Sequence, residues 1–445
     1  MGEIFRFPLK QGIGAKAAAA TVKGDHVDRG QLLAFIEEGN LGANIYTSVS
    51  GTVKEVTEDE IIIRADEKQS SDYIPLKGND ALELIKESGL VGLGGAGFPT
   101  YAKLSKAFDS GGVVIINAAE CEPILEHNIR AIEESPAILL RGLEIAMEVT
   151  KAERGIIAIK GIHEKAIEKL EDAIRSCHEP GSDRLFASKI EISRLPNIYP
   201  MGEERAVIRE TLGRLLSVNS LPLEADAIVI NAETACRIKE AVDDKKPLID
   251  KNVTIAGKIK GCEDADIIRV YMDVPIGRSV SKLFEMAGGL KGGYGEIIMG
   301  GPFTGKRTEI DAPIVKTTGG LIATECFPKG PDKIGLLVCA CGADECRMRQ
   351  LAESLGSEVA GVEFCKQAIE VRGTRKCENP GRCPGQAQKV MNLKKAGAQA
   401  VLISNCTDCS NTVMSCAPQL KLPVYHCTDQ ALRAVNEHLI RKIHD

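Results

Sequence analysis

Tryptophan is absent and aromatic residues make up only 4% of the chain, yet 44% of its residues are hydrophobic, enough for sizeable cores. A dominant basic charge is also missing. The net charge is −6 with the signs well mixed, which argues against a nucleic-acid surface. No uncharged apolar run approaches the roughly 18 residues a membrane-spanning helix needs. The opening MGEIFRFPLK has neither the basic nor the apolar region of a signal peptide. These absences predict a soluble, cytoplasmic protein with no membrane span. There is no internal repeat or low-complexity linker, and 445 residues predict three or four domains.

Cysteine, by contrast, is abundant. Ten of the 15 cysteines fall between Cys339 and Cys427. Structural disulfides are uncommon in the cytosol, so this density points to redox chemistry or metal ligation.

The fold class predicted is multidomain α/β. Residues 1–70 read as short alternating strands, "VKGDHVDRGQLLAFIEE" and "IYTSVSGTVKEV". They resemble the barrel-sandwich hybrid of lipoyl and biotinyl carrier domains, but the hairpin "EEGNLGAN" has no lysine to carry a cofactor. Residues 71–250 alternate strand and helix. Asp80 can cap the helix "ALELIKES", Gly89 ends it, and the apolar strands "VVIIN", "GIIAIK", "IEIS" and "AIVIN" follow. Strands without alternation, separated by helices, predict a parallel sheet buried on both faces. Residues 251–295 resemble a soluble-ligand-binding β-grasp module. A connector, 296–332, containing "GGPFTGK", is expected to return to the preceding domain, and 333–445 is the cysteine-rich domain.

"GLVGLGGAGFPTYAKL" (89–104) is a glycine-rich turn before a helix, a place where backbone N–H groups can meet an anion. It matches neither G-x-G-x-x-G nor a P-loop. Three further segments leave strands or open helices nearby: "NAAECEP" (117–123), "YPMGEE" (199–204) and "NAET" (231–234). Each sets Asn, Glu or Tyr near a strand's carboxyl end, where open α/β sheets bind ligands.

In their order, these four motifs resemble the flavin- and NADH-binding subunit of respiratory complex I, and still more the C subunit of the Rnf electron-transport complex. The likeness spans roughly residues 5–325. It implies FMN, with Gly92, Gly94, Gly95 and Lys103 lining its phosphate and ring. Asn117, Glu120, Tyr199, Gly202, Glu203, Asn231 and Thr234 would complete that site, and Phe98, Glu122 and Glu204 would face NADH. One departure stands out: Ala119 occupies a position that is acidic in the complex I pattern.

The iron–sulfur motifs of both families are missing, and a different pattern replaces them. "IGLLVCAC", "VAGVEFC", "AVLISNCTDC" and "LPVYHC" are apolar strand candidates, each ending in cysteine. In a parallel sheet their carboxyl ends share one edge, which predicts that Cys339, Cys341, Cys365, Cys406, Cys409 and Cys427 gather on one rim. Cys346 falls in the next helix. Cys383 precedes Pro384, suited to a first helical position, where a thiolate is favoured. Cys406 and Cys409 have C-x-x-C spacing, which fits a dithiol, half a metal site, or chance.

The domain loosely resembles the small cluster-binding subunit that links hydrogenases to heterodisulfide reductases. That likeness implies a [2Fe–2S] site, with Cys341, Cys346, Cys365, Cys383, Cys406 and Cys409 as candidate ligands; structural zinc ranks lower. Cys339, Cys341, Cys406 and Cys409 are the candidate catalytic cysteines. The combination of both halves resembles the electron-transfer proteins associated with D-proline reductase. Some members of that family carry selenocysteine, which a cysteine here could replace. The implied role is to take electrons from NADH through FMN and hand them through the cysteines to D-proline reductase as protein partner. The alternative is a non-catalytic Rnf-like adaptor with a metal-binding cysteine domain. His127 reads as a surface or capping residue and His426 as a plain strand-end histidine.

Overall fold

The computed structural model describes residues 2–176, 189–261, 267–404 and 407–441, with the backbone alone for 407–411. The first unit is a small double-sheet body. One sheet orders the strands Ile4–Pro8, Glu60–Ala65, Gly51–Val56 and His26–Val27; the other holds Ala18–Ala19, Leu32–Phe35 and Ile45–Tyr46. Alternate residues of both sheets, among them Phe5, Phe7, Leu33, Ile61 and Ile63, close one shared core. This is the barrel-sandwich architecture expected.

The second unit carries a four-stranded parallel sheet, ordered Ile190–Leu195, Arg154–Lys160, Val113–Ala118 and Ala227–Asn231. Its strands are apolar on both sides because both sides are covered. Val114 and Ile116 pack into one core with helix Pro136–Thr150, while Val113 and Ile115 pack into another with helix Glu204–Leu212. Local signals act as read. Asp80 accepts the Glu83 amide at 2.9 Å to cap helix Ala81–Glu87, and Gly89 turns out of it at φ 72°.

The third unit is a five-stranded sheet, ordered Ile268–Pro275, Asp250–Gly257, Gly320–Glu325, Tyr294–Met299 and Lys306–Arg307, with helix Val280–Met286. The expected boundary at 295 falls inside a strand. The segment 296–332 is more than a connector, because Gly320–Glu325 lies mid-sheet, parallel to Asp250–Gly257. Long-range pairing of this kind leaves no local signature.

The fourth unit is a parallel sheet ordered Glu358–Phe364, Lys333–Val338, Ala400–Ile403 and Val424–His426. All four expected strands are present. One local reading needs correction. Helix Ala387–Lys395 starts three residues beyond Pro384, since Gly385 adopts φ 81°, so Cys383 is not at a helix start. The last helix, Asp429–Ala434, is short, and Asn436 leaves it at φ 57°. A hairpin, Ala368–Val371 with Thr374–Cys377, has no counterpart among the expected elements. Its two-residue turn, Arg372-Gly373, has positive φ at both positions, as a tight hairpin of this twist requires.

One buried cation ties the first two units to the third. Lys316 Nζ donates to the carbonyls of Asn44 (2.5 Å) and Gly89 (2.8 Å), and its amide donates to Gln11. Burial lowers its ammonium to about 7. Between that value and its ordinary one, the unfolded chain holds a proton the folded chain has released. The group's contribution is therefore largest at alkaline pH and is lost as pH falls toward 7. Lys316→Met leaves two buried carbonyls unpaired and should cost about 2–4 kcal/mol in urea denaturation. The wild-type advantage over this variant should be larger at about pH 9.5 than at about pH 7.

Candidate functional site

A cavity of about 1000 Å³ opens where the carboxyl ends of two parallel sheets meet. The glycine loop forms one wall with Leu93, Gly94, Gly95 and Ala96. Gly94 is required: a Cβ there would run into the Asn231 side-chain amide, whereas one at Gly95 would meet open space. Asn231 is itself fixed as the N-cap of helix Ala232–Asp243, accepting from Glu233 at 3.0 Å and Thr234 at 3.3 Å. Thr234 Oγ1 in turn accepts the Leu93 amide at 3.0 Å. Gly92 closes the loop on the Phe98 carbonyl.

A second wall is carboxylate-rich. Glu120 accepts from Asn128 at 2.8 Å, and burial pushes its carboxyl up to about 7. Glu122 is clasped by the Phe303 amide (2.8 Å), the Thr304 amide (2.9 Å) and the Thr304 hydroxyl (2.5 Å), with burial raising its pKa. "GGPFTGK" thus serves as a clamp on Glu122. Asn117 donates to the Gly202 carbonyl at 2.8 Å, and the Gly202 amide donates to the Cys121 sulfur at 2.5 Å. Glu203 caps helix Glu204–Leu212 and pairs with Arg205 at 2.9 Å.

Several expected contacts lie elsewhere. Lys103 pairs with Glu204 at 2.7 Å and the Val229 carbonyl at 2.9 Å, and it does not line the cavity. Gly92, Phe98 and Thr234 do not line it either. Tyr199 does line the cavity, while its ring stacks on Phe303, with ring centroids 3.7 Å apart, and its hydroxyl donates to the Cys341 carbonyl. His127 is buried, not at the surface. It faces Thr254 at 3.2 Å and is pushed down to about 3, chiefly by burial. His426 ends its strand, as read, but is also buried, with its Nδ1 on Thr428.

The third wall comes from the cysteine domain. Cys339, Cys341 and Cys365 follow the ends of their strands as expected, and Cys377 joins them from the hairpin. Their thiols perturb one another in sequence, Cys365 with Cys339, Cys339 with Cys341 and Cys341 with Cys377, and the Cys341 amide donates to the Cys339 sulfur at 3.5 Å. The neighbouring Cys341 thiol draws the Cys377 thiol below its ordinary value, while Cys339 and Cys377 push Cys341 up. Cys341 and Cys377 both reach the cavity. Cys346 is exposed on helix Glu345–Ser354 and does not reach it. Cys383 is in a disulfide and offers no thiolate here. Cys406 and the side chain of Cys409 lie outside the described residues. No group of three or more His, Cys, Asp or Glu among the described residues is placed to hold a metal ion.

Among the cavity residues that sequence reasoning missed are Cys121, Asn128, Arg205 and Cys377. Cys121 and Arg205 sit in or beside quoted motifs, so position alone could have raised them. Two of the four leave buried polar atoms without a partner, Asn128 Oδ1 and Arg205 Nη1. An unpaired acceptor, an unpaired donor and a glycine that admits close approach are what a polar, anionic cofactor such as FMN needs.

Fold and site define a flavin-domain electron-transfer protein. Residues 85–240 match the Nuo51 FMN-binding domain and residues 1–71 the RnfC barrel sandwich hybrid domain. The chain is 32% identical over 335 residues to the C subunit of the proton-translocating ferredoxin:NAD(+) oxidoreductase complex of Clostridium ljungdahlii, covering 71% of this chain and 69% of that one. It is 30% identical to the Na(+)-translocating counterpart of Acetobacterium woodii, covering 75% of each. It thus belongs to the family of RnfC-type oxidoreductase subunits. Cobalamin reductase PduS of Salmonella typhimurium is 32% identical over 248 residues, 56% of this chain and half of that one. A solved NAD+-reducing [NiFe]-hydrogenase aligns with TM-score 0.45 at 21% identity, covering 54% of this chain and 46% of that one. No helix among the described residues is long and apolar enough to cross a membrane.

Gly94→Ala should displace Asn231 and lose its cap, destabilising the chain by about 1–2 kcal/mol in thermal or urea denaturation. Gly95→Ala, with open space around it, should leave stability unchanged.

Proposed function

We propose that the chain binds FMN in this cavity, accepts electrons from NADH there, and passes them through its C-terminal cysteines to a reductase protein. D-proline reductase is the partner suggested by the resemblance of the cysteine-rich combination. The observation that carries the proposal is the shared cavity: residues of the FMN-binding domain form two walls, and Cys341 and Cys377 form part of the third.

Bound FMN supplies the hydride acceptance and the choice between one- and two-electron release. The chain supplies the setting. Gly94 and Asn231 shape the floor, while Asn117 and Gly202 brace the opposite loop. Arg205 Nη1 offers charge to an anionic group, and Asn128 Oδ1 accepts from a polar ring edge or hydroxyl. Glu120, with its carboxyl near 7, can hold or release a proton at the wall close to neutral pH. Glu122 is held on three donors where a nucleotide would arrive.

The purified chain reconstituted with FMN should show flavin bands near ~450 nm that NADH bleaches under anaerobic conditions. A colourless, NADH-inert chain would favour the adaptor reading instead. Gly94→Ala should lower flavin content, while Lys103→Ala should change it little, because that lysine is committed to Glu204 and the Val229 carbonyl.

A further inference from the structure

Among the described residues of the cysteine domain, the cysteines that line the cavity are Cys341 and Cys377. Cys377 arrives on the second strand of the hairpin Ala368–Val371 and Thr374–Cys377, and its thiol also donates to Gln367 Oε1 at 3.4 Å. Cys341 arrives from the loop after strand Lys333–Val338, and its carbonyl is held by Tyr199. The Cys377 carbonyl is held in the same way, by Arg205 Nη2 at 2.5 Å. Both backbones are thus pinned by side chains of the FMN-binding domain, and both residues line the one cavity. Cys339 and Cys365 continue the row inward, where Gln386 Nε2 meets the Cys365 sulfur at 3.1 Å. None of the four is joined in a disulfide.

We propose that Cys341 and Cys377 are a redox-active dithiol, the site at which the chain exchanges two electrons with a disulfide-bearing partner. The inference rests on the function proposed above and names its outlet. In the exchange, one sulfur of the pair attacks a partner disulfide, whose S–S bond breaks to give a mixed disulfide and one free partner thiol. The second sulfur then attacks the first, releasing the other partner thiol and closing a Cys341–Cys377 bond. The pair loses two electrons and two protons, and the partner disulfide gains both. With both cysteines at one cavity, the closing step is intramolecular. The pinned backbones keep it beside the cavity, where electrons can restore the dithiol.

The test uses the full chain with exposed Cys326 and Cys346 replaced by serine, treated with 4,4′-dithiodipyridine, a small aromatic disulfide. Peptide mass mapping should find Cys341 joined to Cys377, with about two thiopyridones released for that pair and no label retained. Dithiothreitol should reverse the link. In Cys377→Ser, Cys341 should instead retain one pyridyl label, with melting checked to show that the variant is folded. The proposal is overturned if Cys341 and Cys377 stay alkylatable while other cysteines pair. Iron and sulfide in the isolated chain that vanish in Cys341→Ser would overturn it as well. Flavin content and NADH bleaching are read separately. A chain that forms the pair but binds no FMN defeats the broader function alone, whereas a chain that bleaches without forming the pair defeats this inference alone.

Discussion

Two hydrogen bonds to backbone carbonyls decide the geometry of the whole site. Tyr199 and Arg205, both near the start of helix Glu204–Leu212, reach across to the carbonyls of Cys341 and Cys377. Their domain presents a parallel sheet by its carboxyl edge, and the cysteine domain does the same. When two such edges face each other, loop residues from both gather around one space. Arg209 adds to these tethers, donating to Asn379 Oδ1 at 2.7 Å and to the Pro380 carbonyl at 2.8 Å. The stacked pair Tyr199 and Phe303 extends the seam into the core of the cysteine domain, beside His426.

A cavity this polar is costly to bury, and the chain offsets the cost by satisfying most of what surrounds it. Glu122 takes three donors. Glu233, part of "NAET", is fully buried. Burial opposes its charge, but the Lys251 ammonium and the Arg237 guanidinium hold its carboxyl low. That network braces the helix capped by Asn231 against strand Asp250–Gly257. A polar motif residue thus stabilises the scaffold one turn away from the site. The atoms left unpaired at the cavity wall, on Asn128 and Arg205, are the exceptions a ligand would resolve.

Much of this is legible in residue order. The apolar runs without alternation announce two parallel sheets, and the recurrence of cysteine at strand ends announces a rim. Asp80 and Gly89 follow from local backbone rules. The failures share a cause. Motif position assigns Lys103 to the flavin, but its partner Glu204 comes from another helix. Cys377 lies in a run with no apolar signal, on a hairpin whose turn is the only cue. Pro384 suggests a helix start that the next glycine prevents. The connector becomes a central strand through pairing with residues some seventy positions earlier.

Sequence alone determined the family, the strand order along the chain, and which residue types stand at each strand's end, because these depend on periodicity and on rules acting over a few residues. Only the tertiary structure decided that the third wall is Cys341 with Cys377, that His127 is buried, and that Lys316 binds units together. Those outcomes depend on distances between segments far apart in the chain, and on desolvation, which no local pattern encodes.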